Sequence, residues 1–232
     1  MGFKRFLKNI VKAAFQESTT DEMKKLNIEL QRIATRNTAN FIYTSLNTAK
    51  ALNSRKEIIQ YAIEKNTIKD GFIAEFGVYK GNSINLIASL LNDTDTQIYG
   101  FDSFEGLPED WRTNFEKGTF GVNQLPEVPL NVTLIKGWFD QTLPAFVNSH
   151  SNKPCSLLHI DCDLYSSTKT IFEHLSGNIV SGTVIVFDEF FNYPGWEYGE
   201  YRAFIEYANN ANLQYQYIGY NQLDEQVIVK IV

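Results

Sequence analysis

Nothing in this chain narrows its fold more than the order of two short passages, GFIAEFGVYKGNS beginning at Gly71 and QIYGFDSFEGLP beginning at Gln97. The first is an apolar run that closes on Glu75 and enters a turn carrying Gly77 and Gly81. The second, one helix length later, is another apolar run closing on Asp102. A strand, a glycine-rich turn, a helix and a second strand form a βαβ unit. Glycine at positions 77 and 81 lets backbone amides approach a charged ligand where side chains would obstruct it. A carboxylate at the tip of the neighbouring strand accepts both hydroxyls of a ribose, as in dinucleotide-binding folds whose acid follows the glycines by about 20 residues. Together the passages describe a site for a nucleoside-bearing cofactor.

The alternation of short apolar strands and helices continues to the end of the chain. Strands are expected at Ile73–Gly77, Gln97–Asp102, Val132–Lys136, Ser156–Asp161, Thr183–Asp188, Gln214–Tyr220 and Gln226–Ile231. Helices are expected near Asn82–Asn92, Gln141–Asn148, Ser167–Leu175 and Glu200–Asn210. Only Asn221–Glu225 separates the last two strands, too little for a helical crossover, so they must pair as an antiparallel hairpin. The expected fold is α/β, a seven-stranded Rossmann-like sheet with that hairpin at its end. Before it, residues 1–70 read as a helical N-terminal cap, with apolar positions such as Leu26, Leu30, Ile33, Phe41, Ile58 and Ile59 at helical spacing; residues 71–232 read as the cofactor-binding domain. A chain of 232 residues, 44% of them hydrophobic, suits one well-buried domain plus such an appendage. Phe104–Asn131 is a long connection with weak periodicity and three prolines, as expected of a lid over substrate.

Charge and cysteine usage limit the partners. A net charge of -6 without a basic cluster argues against nucleic acid. Phe3, Phe6, Leu7, Ile10, Val11, Ala14 and Phe15 recur at helical spacing opposite Lys4, Arg5, Lys8 and Lys12, an amphipathic helix expected to pack on its own domain or on a second copy in a homo-oligomer. Lys8, Asn9 and Lys12 interrupt any signal-peptide core, and no run reaches membrane-spanning length, so stable membrane insertion is not expected. Cys155 and Cys162 flank the predicted strand Ser156–Asp161, seven residues and so roughly 23 Å apart at about 3.3 Å per residue, and cannot bridge; reduced thiols and a cytoplasmic setting are expected.

Ligands of open parallel sheets bind beyond the carboxyl ends of the strands. Glu75, Asp102, Asp161 with Asp163, and Asp188 with Glu189 all stand at such ends, as do Ser103, Gly137 and Trp138. Carboxylates gathered this closely repel, so either some are protonated or a hard divalent cation of magnesium type neutralises them. Oxygen donors disfavour zinc, and His159, inside its strand, reads as a packed core histidine rather than a ligand. Among the aromatics, Trp138 and the Phe190–Trp196 loop are the ones expected to face ligand.

The ordered motifs EFGVYKGNS, GFDSFEGLPEDW, KGWFDQTLP, LLHIDCDLYSSTKTIFEHL and GTVIVFDEFFNYPGWEYGEYRAFIEY resemble those of the macrocin O-methyltransferase family over roughly residues 71–232. That resemblance implies S-adenosylmethionine as cofactor, a sugar or other polyhydroxylated small molecule as acceptor, and a magnesium ion beside the methyl donor. It would place Glu75, Gly77, Gly81 and Ser83, with Phe76 and Tyr79 of the same motif, at the amino-acid end of the cofactor. Asp102 would hold the ribose; Ser103 and Trp138, next to Gly137, would meet the adenine, and Asp161 would also reach the cofactor. Asp161, Asp188 and Glu189 would take the metal positions, although members of the family pair two aspartates where this chain has Asp188–Glu189. The proton of the attacking hydroxyl would pass to Asp163 or His159, with Asp161 beside them.

Two other activities share some of these features. Asp161-Cys162-Asp163 is a D-x-D triplet of the kind that holds a metal and a sugar-nucleotide diphosphate in glycosyltransferases, against which stands the glycine-rich turn with its ribose acid. A nicotinamide-dependent oxidoreductase would want G-x-G-x-x-G, whereas Gly77 is followed by Val78, Tyr79 and Lys80. A binding subunit that kept the fold without catalysis is the third alternative.

Overall fold

In a computed structural model of the chain, residues 3–91 and 95–232 are described, residues 3–21 by their backbone alone. The faces of the amphipathic helix from Phe3 to Phe15, and the expected helix end at Asn92, lie outside the described residues. The elements run α1 (Phe3–Ser45), β1 (Lys50–Leu52), α2 (Arg55–Lys65), β2 (Phe72–Phe76), α3 (Asn82–Leu90), β3 (Ile98–Asp102), β4 (Val132–Lys136) and α4 (Phe139–Ser149). They continue with β5 (Cys155–Ile160), α5 (Tyr165–Leu175), β6 (Val184–Phe187), α6 (Glu200–Asn210), β7 (Tyr215–Asn221) and β8 (Val227–Ile231).

The strands form one sheet in the order β1-β7-β8-β6-β5-β2-β3-β4. All neighbours are parallel except where β8 enters, antiparallel to both β6 and β7. The terminal hairpin is thus as expected, but the sheet has eight strands and not seven. The extra one, β1, lies within the stretch read as helical cap and pairs with the edge strand β7, Lys50 opposite Gly219 and Leu52 opposite Asn221. Lys-Ala-Leu is too short to show a strand period, and only Leu52 of the three is buried.

The next helix was better signalled. Ser54 accepts a hydrogen bond from the Glu57 amide at 3.2 Å, closing the N-terminus of α2, and Ile58, Ile59 and Ala62 turn inward. These residues join Ile73, Ile84, Ile98, Leu157, Val184 and Ile228 in the core on one face of the sheet. The other face buries the aromatic core of Phe76, Phe101, Phe172, Phe187, Phe190 and Phe204. The C-terminal part of α1 completes that side: the Phe41 ring lies 5.5 Å from Tyr217, 5.6 Å from Trp196 and 6.1 Å from Phe190.

β2 has β3 on one side and β5 on the other. The chain leaves one of these central strands toward β3 and β4 and the other toward β6, so a crevice opens above their carboxyl ends.

Candidate active site

A cavity of about 610 Å³ fills that crevice. One wall is the turn after β2, with Gly77, Val78, Tyr79 and Ser83, together with Asp102 and Ser103 at the tip of β3. The floor brings together Asp161, Cys162 and Asp163 beyond β5 and Glu189 beyond β6. Trp138, Phe139 and Gln141 at the start of α4 close one side. The roof is the irregular segment between β3 and β4, which contributes Leu107, Pro108, Trp111, Arg112, Phe115 and Phe120.

Asp102 organises the glycine-rich turn. Its Oδ2 accepts from the amides of Val78 at 2.9 Å and Tyr79 at 2.7 Å, and its Oδ1 from the amide of Phe104 at 2.6 Å. It stays in the cavity wall, with oxygens that can accept again from a bound hydroxyl. Gly77 has φ 95°, and a Cβ there would stand 1.7 Å from the Asp161 carbonyl oxygen; its bare backbone lets the tips of β2 and β5 touch. Gly81, φ 80°, begins α3 under Pro126 of the roof. Both glycines answer to the chain's own packing.

Glu75 is fully buried beneath this wall. It accepts from the Ser83 hydroxyl at 3.0 Å and faces His159 Nδ1 at 2.9 Å. His159 Nε2 points toward Asp188 Oδ1 at 3.7 Å. Burial opposes a charge on His159, but the carboxylates of Asp188 and Glu75 outweigh it and hold the imidazolium up to about 10. A group that keeps its proton at neutral pH and does not line the cavity is placed as a structural cation. Phe76, Gly81, Gly137 and Asp188 also stay behind the cavity surface, while Gly77, Tyr79, Ser83, Asp102, Ser103, Trp138, Asp161, Asp163 and Glu189 are on it.

The expected ligand-facing loop after β6 is a correction. Phe190, Phe191, Tyr193 and Trp196 are all buried: Phe41 of α1 and Tyr201 hold Phe190 and Trp196, Phe191 meets Tyr220, and Tyr193 packs against Trp111 of the roof. The aromatics that do reach the cavity are Tyr79, Trp138 and Phe139 and, from the roof, Trp111, Phe115 and Phe120, with Phe115 packed between Trp111 and Phe120 and Phe120 edge-on to Tyr79.

Burial and Asp188 push the Asp161 carboxyl well above its ordinary range, against the pull of His159 and Arg55. Burial pushes Asp163 up to about 7 in spite of Arg112. Glu189 and Glu200 are raised by burial and by the neighbouring acids. Asp188 alone among them is lowered, because His159 and Arg55 outweigh its burial. The floor therefore carries acids in excess of countercharge. Such a floor favours a cationic ligand, and Asp163, raised to about 7, can take or give a proton near neutral pH.

Two cations in the lining escaped the sequence reading. Arg55, the first residue of α2, pairs through Nη2 with Asp188 Oδ2 and lies 3.6 Å through Nη1 from Asp161 Oδ2. Arg112 of the roof reaches Glu225 in the β7–β8 turn at 3.2 Å and stacks 3.9 Å from the Trp111 ring. The sequence reading took this stretch as part of the helical cap, and nothing local shows that a helix starting at Arg55 meets acids so distant in the chain.

The expected magnesium set meets this geometry poorly. Among the described residues, the ligand-capable atoms that converge within 4.8 Å are those of His159, Asp161 and Asp188, without Glu189. One vertex is an imidazole already facing Glu75, and a guanidinium contacts the other two. Three oxygen donors free for a hard cation are not assembled.

Comparison with known proteins adds the family context. The model of the macrocin-O-methyltransferase family matches residues 3–130, and a methyltransferase-domain model matches residues 74–190. The 8-demethyl-8-(2,3-dimethoxy-alpha-L-rhamnosyl)-tetracenomycin-C 4'-O-methyltransferase of Streptomyces olivaceus is 27% identical over 162 residues. That match covers 59% of this chain and 60% of the relative, so the chain spans about three fifths of the relative's length. The calicheamicin methyltransferase CalS11 superposes with TM-score 0.63 at 19% identity, over 90% of this chain and 92% of its own. The O-methyltransferase NovP gives TM-score 0.59 at 21% identity, over 76% and 78%. Both share the fold.

Proposed function

This chain belongs to the macrocin-O-methyltransferase family, and on that footing we propose that it moves the methyl group of S-adenosylmethionine to a hydroxyl of a sugar unit in a natural product. The observation that carries this reading is the cavity itself, with Asp102 and the glycine-rich turn on one wall and Asp161, Asp163 and Glu189 across from them. Asp102 accepts the ribose hydroxyls, and Trp138 with Ser103 borders the adenine. The turn from Gly77 to Ser83 receives the amino-acid end, with α3 behind it directing its positive end at the carboxylate. The excess of acid on the floor matches a cofactor whose reactive group is a sulfonium.

In the transfer the acceptor oxygen attacks the methyl carbon in line, the carbon–sulfur bond breaks with its pair going to sulfur, and neutral S-adenosylhomocysteine leaves. The hydroxyl proton passes to a floor carboxylate. Asp163 suits this best, since it borders the cavity and is raised to about 7, with Asp161 next to it. His159 acts beneath the floor as a fixed counter-ion to Glu75 and Asp188. Charge is lost in the step rather than created, so alignment and exclusion of water by the aromatic roof supply most of the acceleration. Magnesium, if bound, would polarise the acceptor hydroxyl, but the crowded donor set leaves the transfer to the chain's own groups.

The rhamnosyl unit named in the Streptomyces relative supports a deoxysugar glycoside as acceptor. Met23, Leu26, Ile28 and Ile33, exposed on α1, support self-association through that helix. Titration calorimetry with S-adenosylhomocysteine tests the reading. Wild type should bind at micromolar concentration, and Asp102→Ala should bind at least about tenfold more weakly, having lost about 1.4 kcal/mol or more. No binding at millimolar ligand would refute it.

A further inference from the structure

We infer that Arg55 is the resident cation of this site: its guanidinium bridges Asp161 and Asp188 where the family places a divalent ion, and the chain works without a metal. The inference rests on the methyltransferase reading and concerns what neutralises its acidic floor.

Three structural features carry it. Arg55 contacts both aspartates at once, Nη2 on Asp188 Oδ2 and Nη1 at 3.6 Å from Asp161 Oδ2, so the two carboxylates share one planar fork. Its origin is fixed: Ser54 caps the helix that begins with Arg55, and β1, immediately before, is pinned to β7 by backbone pairing. The third acid stands outside the set: Glu189 lines the cavity and lies against Asp188, but it takes no part in the converging group of His159, Asp161 and Asp188. Glutamate in place of a second aspartate is consistent with this, since the longer side chain no longer supports a compact oxygen triad. A divalent ion entering here would meet the guanidinium head-on and would have to displace it from two carboxylates.

Arg55 is accordingly a positioning residue. It acts through Asp161, whose carboxylate it holds facing the cavity beside Asp163, and through Asp188, which it draws toward the strand tips. The methyl transfer needs no additional reagent: the acceptor oxygen gains the methyl group, sulfur keeps the electron pair, and a floor carboxylate takes the proton.

Manganese(II), whose electron paramagnetic resonance signal is quenched on binding, tests the inference without relying on turnover. Wild type should leave the signal of added manganese unchanged at millimolar protein, and its methyl-transfer rate should change less than twofold between EDTA and added magnesium. Arg55→Ala should bind manganese and lose at least about tenfold in rate in EDTA, part of it regained with magnesium. Arg55→Lys keeps the charge and should stay metal-indifferent. Wild type that binds manganese, or whose rate collapses in EDTA and recovers with magnesium, overturns the inference. Should Arg55→Ala fail to fold by circular dichroism, the wild-type and Arg55→Lys titrations still decide. Calorimetry with S-adenosylhomocysteine is read separately, so that a failed cofactor reading is told apart from a failed metal reading.

Discussion

His159 shows what a single residue can hold in this fold. Its imidazole ordinarily titrates near 6.5 and is raised to about 10 in the folded chain by Asp188 and Glu75, against its burial. A folded value above the unfolded one means stability that is present in full below about 6.5 and is lost as the pH climbs through about 10. Replacing His159 by Gln leaves buried carboxylates without their partner and should cost about 3–5 kcal/mol at the acid end of that window. The gap between variant and wild type in urea melts should narrow steadily toward the alkaline end; a constant gap would mean a neutral imidazole. Residue identities at the strand ends were legible from sequence, because the order of apolar runs and acids survives without coordinates. Their partners were not. Gly77 was expected to clear space for a ligand and in fact clears space for the Asp161 carbonyl, and Glu75, expected at the cofactor, spends its oxygens on Ser83 and His159. Both are facts about which strand lies beside which, and β2 meets β5 across a long separation in the chain.

Among the elements, the roof is held by its edges. Arg112 anchors it to Glu225, Glu109 accepts from the Ser166 hydroxyl at 2.6 Å, and the Glu127 carbonyl accepts from Asn85 at 3.0 Å. Within it there is neither helix nor strand; its own hydrogen bonds, such as Leu107 with Thr119 and Gly118, hold the loop's shape, while those ties hold it against the rest of the chain. Arg112→Ala removes a partly exposed ion pair and a cation–π contact, together about 1–2 kcal/mol. The expected result is an acceptor KM about tenfold higher and faster limited proteolysis between Phe104 and Asn131, with S-adenosylhomocysteine affinity changed much less. Unchanged proteolysis would show that the segment is held by its aromatics alone. The roof was recognisable as a lid because its prolines and broken periodicity exclude a regular element. β1 was hidden by brevity. The aromatic run after β6 misled because the same residues that stack on ligands also build cores, and the helix that covers them lies far upstream in sequence.

At the scale of the whole molecule, one sheet divides an aliphatic core from an aromatic one, and α1 belongs to the aromatic side. Phe41 touches Phe190, Trp196, Tyr201 and Tyr217. Phe41→Ala should therefore destabilise the chain by about 2–3 kcal/mol, somewhat below the loss of a fully buried phenylalanine. Leu26→Ala, on the same helix at a side chain 56% exposed, should stay within about 0.5 kcal/mol of wild type in the same denaturation series. Equal losses would place the helix's main contacts elsewhere. The same helix also grips the connection that follows the acidic floor. Gln31 donates to the Asn192 carbonyl, the Asn192 amide donates to Thr38, and Asn37 donates to Glu197. Asn192 follows Glu189 almost at once in the chain, so the long helix is a lever whose short arm rests beside the acids. Loosening that grip frees the backbone three residues from Glu189.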